Sequence, residues 1–184
     1  MRGEARKIIG MLNWILGVLL VVILATLALS YVLCRMVLYP AVNASDETRR
    51  VEIEKGRFDP AEYESWPKEE ISLTAVDGYV LKGVYIPFDA AARSTVVFSH
   101  GHTWSFYGML KYAILFRKRG YNLLLYDLRY HGKSGGKNCT FGYYERDDLR
   151  LMVDWALARL GPGGQVALMG ESLGAAVSLL EAGS

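Results

Sequence analysis

The chain has 184 residues, 52% of them hydrophobic, and its 21 Lys and Arg against 19 Asp and Glu leave a formal net charge of +2. Charges this nearly balanced, and scattered rather than blocked, imply neither nucleic acid nor an acidic polymer, and no polyanion partner is assigned. Cys34 and Cys139, with His100, His102 and His131, give neither a disulfide framework nor the ligand spacing of a zinc site, and no metal is assigned.

After a short basic N-terminus, residues 1–7, no charged side chain occurs from Ile8 to Cys34. A helix of that length, rising about 1.5 Å per residue, covers the ~30 Å of bilayer hydrocarbon and satisfies its own backbone hydrogen bonds there. Trp14 and Tyr31 lie toward its two ends, where amphipathic rings prefer the interface. A cleaved signal peptide and a buried core helix are the rival readings. The run outlasts the roughly 7–15 residues of a signal h-region, closes on no small-x-small cleavage site and carries no polar stripe. One uncleaved single-pass anchor over residues 8–34, in contact with membrane lipid, is therefore expected. Arg2, Arg6 and Lys7 precede it, and Arg35, Arg49 and Arg50 follow. The compact first cluster with the free amino terminus favours an N-terminus inside and the following domain outside.

Residues 35–68 are charged and punctuated by Pro40, Pro60 and Pro67, and hydrophobic periodicity fades, so a linker or loose cover is predicted. Within it Asp59-Pro60 suits an N-cap and first helical position, with a short helix through Ala61 to Ser65. From residue 69 the pattern becomes that of a domain. The runs Ile71–Val76 and Tyr79–Ile86 flank Asp77-Gly78, which predicts an antiparallel hairpin with a two-residue type I′ turn. Thr95–Ser99, Tyr121–Tyr126 and Val166–Met169 are short apolar runs suited to parallel strands covered on both faces. Helices are predicted from Tyr107 to Arg119, ending at Gly120, and through Leu149, Met152, Val153, Ala156, Leu157 and Leu160. A hairpin leading into alternating strands and helices implies an α/β fold, with ligands at the carboxyl ends of the parallel strands.

The strongest chemical signal is Gly170-Glu171-Ser172-Leu173-Gly174, which follows an apolar strand and leads into the helix-prone Ala175–Leu180. A serine alcohol is a weak nucleophile at neutral pH, so it must be held exposed on a sharp turn where a histidine can take its proton. Ser172 is the candidate nucleophile. The bland reading is a glycine-rich turn with an idle serine. His100-Gly101-His102 closes the Thr95–Ser99 strand, and the N–H groups of His102 and Leu173 are the candidate oxyanion donors, with Thr103 in reserve. Thr103 and His131 are candidate pocket-lining residues. His100 is expected to pack under the loop, and Asp127 and Arg129, in the loop that also holds His131, to act as a structural pair or loop brace.

The hairpin, His100-Gly101-His102, the run Asp127 to Ser134, the segment Thr140 to Leu149 and the Gly170–Gly174 motif occur in an order that resembles the α/β-hydrolase superfamily. The likeness is greatest to bacterial membrane-anchored esterase, lipase and serine aminopeptidase-like members, and it covers about residue 69 to the end. It implies an α/β-hydrolase fold, incomplete here, with a mostly parallel sheet behind an N-terminal antiparallel hairpin and helices on both faces. It also implies a small-molecule or lipid-like carboxylic ester as the preferred substrate, with an amide as the alternative, and no cofactor. In this fold the triad runs Ser, acid, His along the chain. Asp127 and His131 precede Ser172, so the triad acid and histidine are expected beyond residue 184, and the domain over 69–184 is expected to be truncated after the elbow and inactive alone. An acyltransferase using the same serine and a non-catalytic membrane-tethered interaction protein remain open.

Overall fold

The computed structural model describes residues Arg2 to Gly183 and contains two compact units, one ending at Tyr39 and the other beginning at Pro40. The first is a single helix, α1 (Arg2–Leu38), of 37 residues, none of which is buried among the described residues. Its length and composition suit a membrane span, and a signal sequence near an N-terminus has the same character.

In the second unit the strands β1 (Glu69–Thr74), β2 (Val80–Ile86), β3 (Ser94–Ser99), β4 (Asn122–Tyr126) and β5 (Gln165–Gly170) form one sheet in the order β1-β2-β4-β3-β5. β1 pairs antiparallel with β2, and β2 antiparallel with β4, whereas β3 pairs parallel with both β4 and β5. The period of two divides the side chains between two cores. Leu123 and Leu125 of β4, with Val96 and Phe98 of β3, pack on one face beside Met109, Leu110 and Ala113. Leu124, Tyr126 and Val97 point to the other, against Leu149, Met152, Ala156 and Val177. β4 is buried throughout and β3 from Thr95 onward, because both faces are covered. β5 lies at the sheet edge and is only partly covered, and it alternates exposed and half-buried residues over its first half.

Helices supply the cover. A 3₁₀ turn over Phe106–Met109 runs into α4 (Leu110–Arg117), so the helix predicted over Tyr107–Arg119 is a tighter turn followed by a shorter α-helix. On the opposite face lie α5 (Glu145–Leu160) and α6 (Leu173–Ala182). The hairpin forms as predicted but with a different turn. Only Gly78 has positive φ there, and Ala75 N–H reaches Tyr79 O at 2.9 Å, which makes a three-residue loop, Val76–Gly78, with Gly78 in the left-handed position. A type I′ turn needs positive φ at both central residues, and Asp77 does not supply it.

Residues 35–68, expected as a linker, hold two helices, α2 (Ser45–Glu54) and α3 (Pro60–Ser65). α3 begins as predicted, with Asp59 Oδ1 accepting from Ala61 N–H at 2.8 Å. Phe58, Tyr63 and Trp66 are buried in the α4-side core. α2 gives no hydrophobic periodicity because the residues it buries are Ser45, Thr48 and Glu52.

Leu124 is fully buried at the centre of the sheet. Leu124→Ala is expected to lower the unfolding free energy by about 2–5 kcal/mol, read as a lower urea midpoint in the protein that carries this chain.

Candidate active site

Strand β5 ends at Gly170 and α6 begins at Leu173, so the chain reverses within two residues. Ser172 sits on that corner at φ 54° and ψ −116°, a conformation rare for a residue with a side chain, and its side chain is exposed. The flanking glycines are required by contact rather than by φ. A Cβ on Gly170 would lie 2.2 Å from the Gly174 carbonyl oxygen, and one on Gly174 would lie 2.0 Å from the Ser99 carbonyl oxygen at the end of β3. Any larger residue at either position would push α6 off the sheet. The corner is tied to β3 by Glu171 N–H donating to Ser99 O at 3.1 Å, and α6 starts on Ser172 O, which accepts from the amides of Ala175 and Ala176. Glu171 also pairs with Lys111 of α4 at 2.7 Å.

The loop after β3 runs beside this corner, and a Cβ on Gly101 would stand 3.6 Å from Ser172 Cβ. His100 holds the loop from beneath. It is fully buried, its Nε2 accepts from Leu128 N–H at 2.9 Å, and its Nδ1–H therefore donates to Gly101 O at 2.7 Å. Trp104 N–H donates to the same carbonyl at 3.3 Å. In a planar trans peptide the N–H points opposite the C=O. The His102 amide therefore faces away from those two donors. Among the described residues no backbone or side-chain acceptor meets the N–H of His102 or of Leu173.

Two sequence expectations are corrected here. Thr103, the reserve donor, has its N–H engaged by His131 Nε2 at 3.1 Å. His131, expected to line a pocket, is fully buried, and its Nδ1–H donates to Arg129 O at 2.7 Å. Neither lines the cavity of about 280 Å³ on which Ser172 opens. The walls of that cavity include Glu52, Arg57, His102, Trp104 and Lys111. Glu52 and Arg57 escaped sequence reasoning because no motif marks them. Trp104, only two residues after His102, had a readable signal in its position.

Asp127 and Arg129 brace loops, but not as a pair. Asp127 is buried and accepts from Phe106 N–H and Lys133 N–H, each at 2.8 Å, and burial pushes its carboxyl up to about 6. Arg129 reaches Asp148 at 2.9 Å, Asp77 at 3.5 Å and the Tyr79 hydroxyl. Burial lowers the basicity of both inward histidines, His131 in direction and His100 down to about 3. A neutral imidazole tied at both nitrogens is a strut, and neither ring can serve as a base for Ser172. Cys139, beside His102 at 3.8 Å, is likewise a buried thiol pushed up to about 11.

Residues 90–182 match the family described as serine aminopeptidase, S33. The chain belongs to that family of α/β hydrolases. It is 33% identical over 161 residues to the uncharacterized protein YqkD of Bacillus subtilis, covering 87% of this chain and 52% of that protein. A second relative, the uncharacterized YfhR of Escherichia coli, is 27% identical over 60% of this chain and 40% of its own length. The chain thus spans about half the length, or less, of the curated relatives it matches. Among solved structures, the Pyrococcus furiosus esterase Pf2001 is 30% identical with a TM-score of 0.58, over 67% of this chain and 48% of that one. XC6422 of Xanthomonas campestris, described as an α/β serine hydrolase without a lid, is 26% identical with a TM-score of 0.55, over 63% and 56% of the two chains.

The burial of His100 has a signed consequence. The unfolded imidazole takes up a proton near pH 6.5, and the folded one only near 3. Stability therefore falls as pH drops through that window, because the unfolded chain binds the proton first. His100→Asn removes the titrating ring. Its urea midpoint is expected to lie below wild type at neutral pH but to decline less steeply between about pH 6.5 and 4.

Proposed function

We propose that the protein carrying this chain is a membrane-anchored serine hydrolase that cleaves carboxylic esters, with Ser172 as nucleophile. The observation that carries this reading is the corner between β5 and α6, which holds an exposed hydroxyl at φ 54° beside a cavity and beside two amides without acceptors among the described residues. That arrangement suits acyl transfer. Ser172 Oγ bonds the carbonyl carbon, its proton passes to a histidine, and the carbonyl π pair moves onto oxygen, where the N–H groups of His102 and Leu173 receive it. Collapse expels the alcohol with that proton and leaves an acyl-enzyme. Water, deprotonated by the same histidine, then releases the acid and restores Ser172.

The acid and the histidine are assigned to sequence after residue 184. Support comes from the order Ser, acid, His in this fold, and from relatives of which this chain covers 52% and 40%. The ester preference is supported by the likeness to the Pyrococcus furiosus esterase. We assign α1 as an anchor in contact with lipid, with Arg2, Arg6 and Lys7 inside and the hydrolase unit outside.

Two measurements test this. An active-site-directed fluorophosphonate should label the whole protein, and Ser172→Ala should abolish labelling and reduce ester turnover by at least about 10³-fold. Persistent labelling of the variant would remove Ser172 from its role. Protease added to intact cells should digest the hydrolase unit, and protection would reverse the orientation.

A further inference from the structure

The loop that carries His102 contains a second strained residue. Thr103 has φ 62°, which for a β-branched side chain is a true outlier, and such a conformation persists only where its surroundings over-determine it. His131 holds its N–H from inside the fold. Its carbonyl oxygen is held by a segment from a different part of the chain. Asn43 donates to Thr103 O twice, from its backbone N–H and from Nδ2, each at 3.0 Å. The next residue is held from the same segment, since Trp104 Nε1–H donates to Glu52 Oε1 at 3.1 Å. The Cδ1–Nε1 edge of the indole abuts Gly108, where a Cβ would stand 2.2 Å from Trp104 Cδ1.

Glu52 is a buried acid that is only partly satisfied. It is fully buried, its Oε1 is shared by Trp104 and by Arg57 at 2.8 Å, and its Oε2 has no hydrogen-bond partner among the described residues. A buried carboxylate with an unused oxygen carries a desolvation penalty that an apolar residue of similar size would avoid. Such a placement calls for another explanation, and the cavity it shares with Ser172 and His102 supplies one.

We propose that Asn43 and Glu52, on the stretch that opens the second unit, are positioning residues for the oxyanion loop, holding Thr103 in its left-handed conformation and Trp104 in place so that the His102 amide stays aimed beside Ser172. The stretch Asn43–Arg57 is on this view a working wall of the active site. The inference rests on the serine-hydrolase reading above. It goes beyond that reading by assigning part of the catalytic geometry to residues outside the sheet and its loops.

The test is the rate of fluorophosphonate labelling of the whole protein, because phosphonylation forms the Ser172 Oγ–P bond, breaks P–F with loss of fluoride, and loads the same oxyanion donors. Asn43→Ala and Glu52→Ala should each slow labelling by about tenfold, less than deletion of a donor would. They should lower kcat for a soluble ester by a similar factor, with KM changed less than about twofold, since the lost interaction is made in the transition state. Glu52→Gln keeps an acceptor for Trp104 and should recover most of the rate lost in Glu52→Ala. Thr103→Gly, which adopts positive φ without strain, should recover much of the loss when combined with Asn43→Ala. Wild-type labelling rates in both alanine variants, or losses that follow melting temperature and vanish on cooling, would overturn the proposal while leaving Ser172 as nucleophile. If Glu52→Ala does not fold, the Asn43→Ala and Asn43→Ala/Thr103→Gly pair decides. An unlabelled wild type would overturn the serine-hydrolase reading and this inference with it.

Discussion

The site depends on how closely the start of α6 can approach β3. Gly170 and Gly174 allow that approach because neither has a side chain to meet the carbonyl oxygens opposite, and the Glu171 amide then locks the corner to Ser99. Only at that separation can two residues turn the chain from strand to helix, and Ser172 is the one of the pair that takes positive φ. Its backbone strain, of order 1–3 kcal/mol, is sustained by the packing on either side. Leu173 and Val177 anchor α6 into one core, and Val96 and Phe98 hold β3 in the other.

A second layer of constraint acts on the loop after β3. His100 and His131 are neutral rings that each accept one amide and donate to one carbonyl, joining the loop after β3 to the loop after β4. Asp127 extends the brace by accepting amides from the 3₁₀ turn and from its own loop. Imidazole suits this work because it can serve as donor and acceptor at once in a dry interior. These residues hold shape, so the polar groups most tempting as catalysts in the sequence are the ones the structure occupies fully.

Much of the fold was legible. Three apolar runs predicted strands to within a residue or two; in β3 and β4, which are covered on both faces, no polar alternation blurs the limits. The hairpin was legible from Asp77-Gly78, but its turn was not, since whether a loop closes over two or three residues depends on how Ala75 and Tyr79 pair. α2 was illegible for a physical reason: its inward face is Ser45, Thr48 and Glu52, and their partners are not neighbours in the chain. The 3₁₀ turn was also hidden, since helical spacing alone does not separate it from α4.

By itself the amino-acid order determined the local features: a long helix near the start with a charge-free run from Ile8 to Cys34, the alternation of strands and helices, and a glycine-flanked serine where one strand gives way to a helix. Each follows from residues close together in sequence, through backbone sterics and hydrophobic period. Tertiary structure decided which amides are unoccupied and which are taken, that Thr103 is held rather than available, that His131 turns inward, and that Asn43 and Glu52 meet the loop beside Ser172. Those outcomes depend on contacts across up to 60 positions of chain, and only packing sets them.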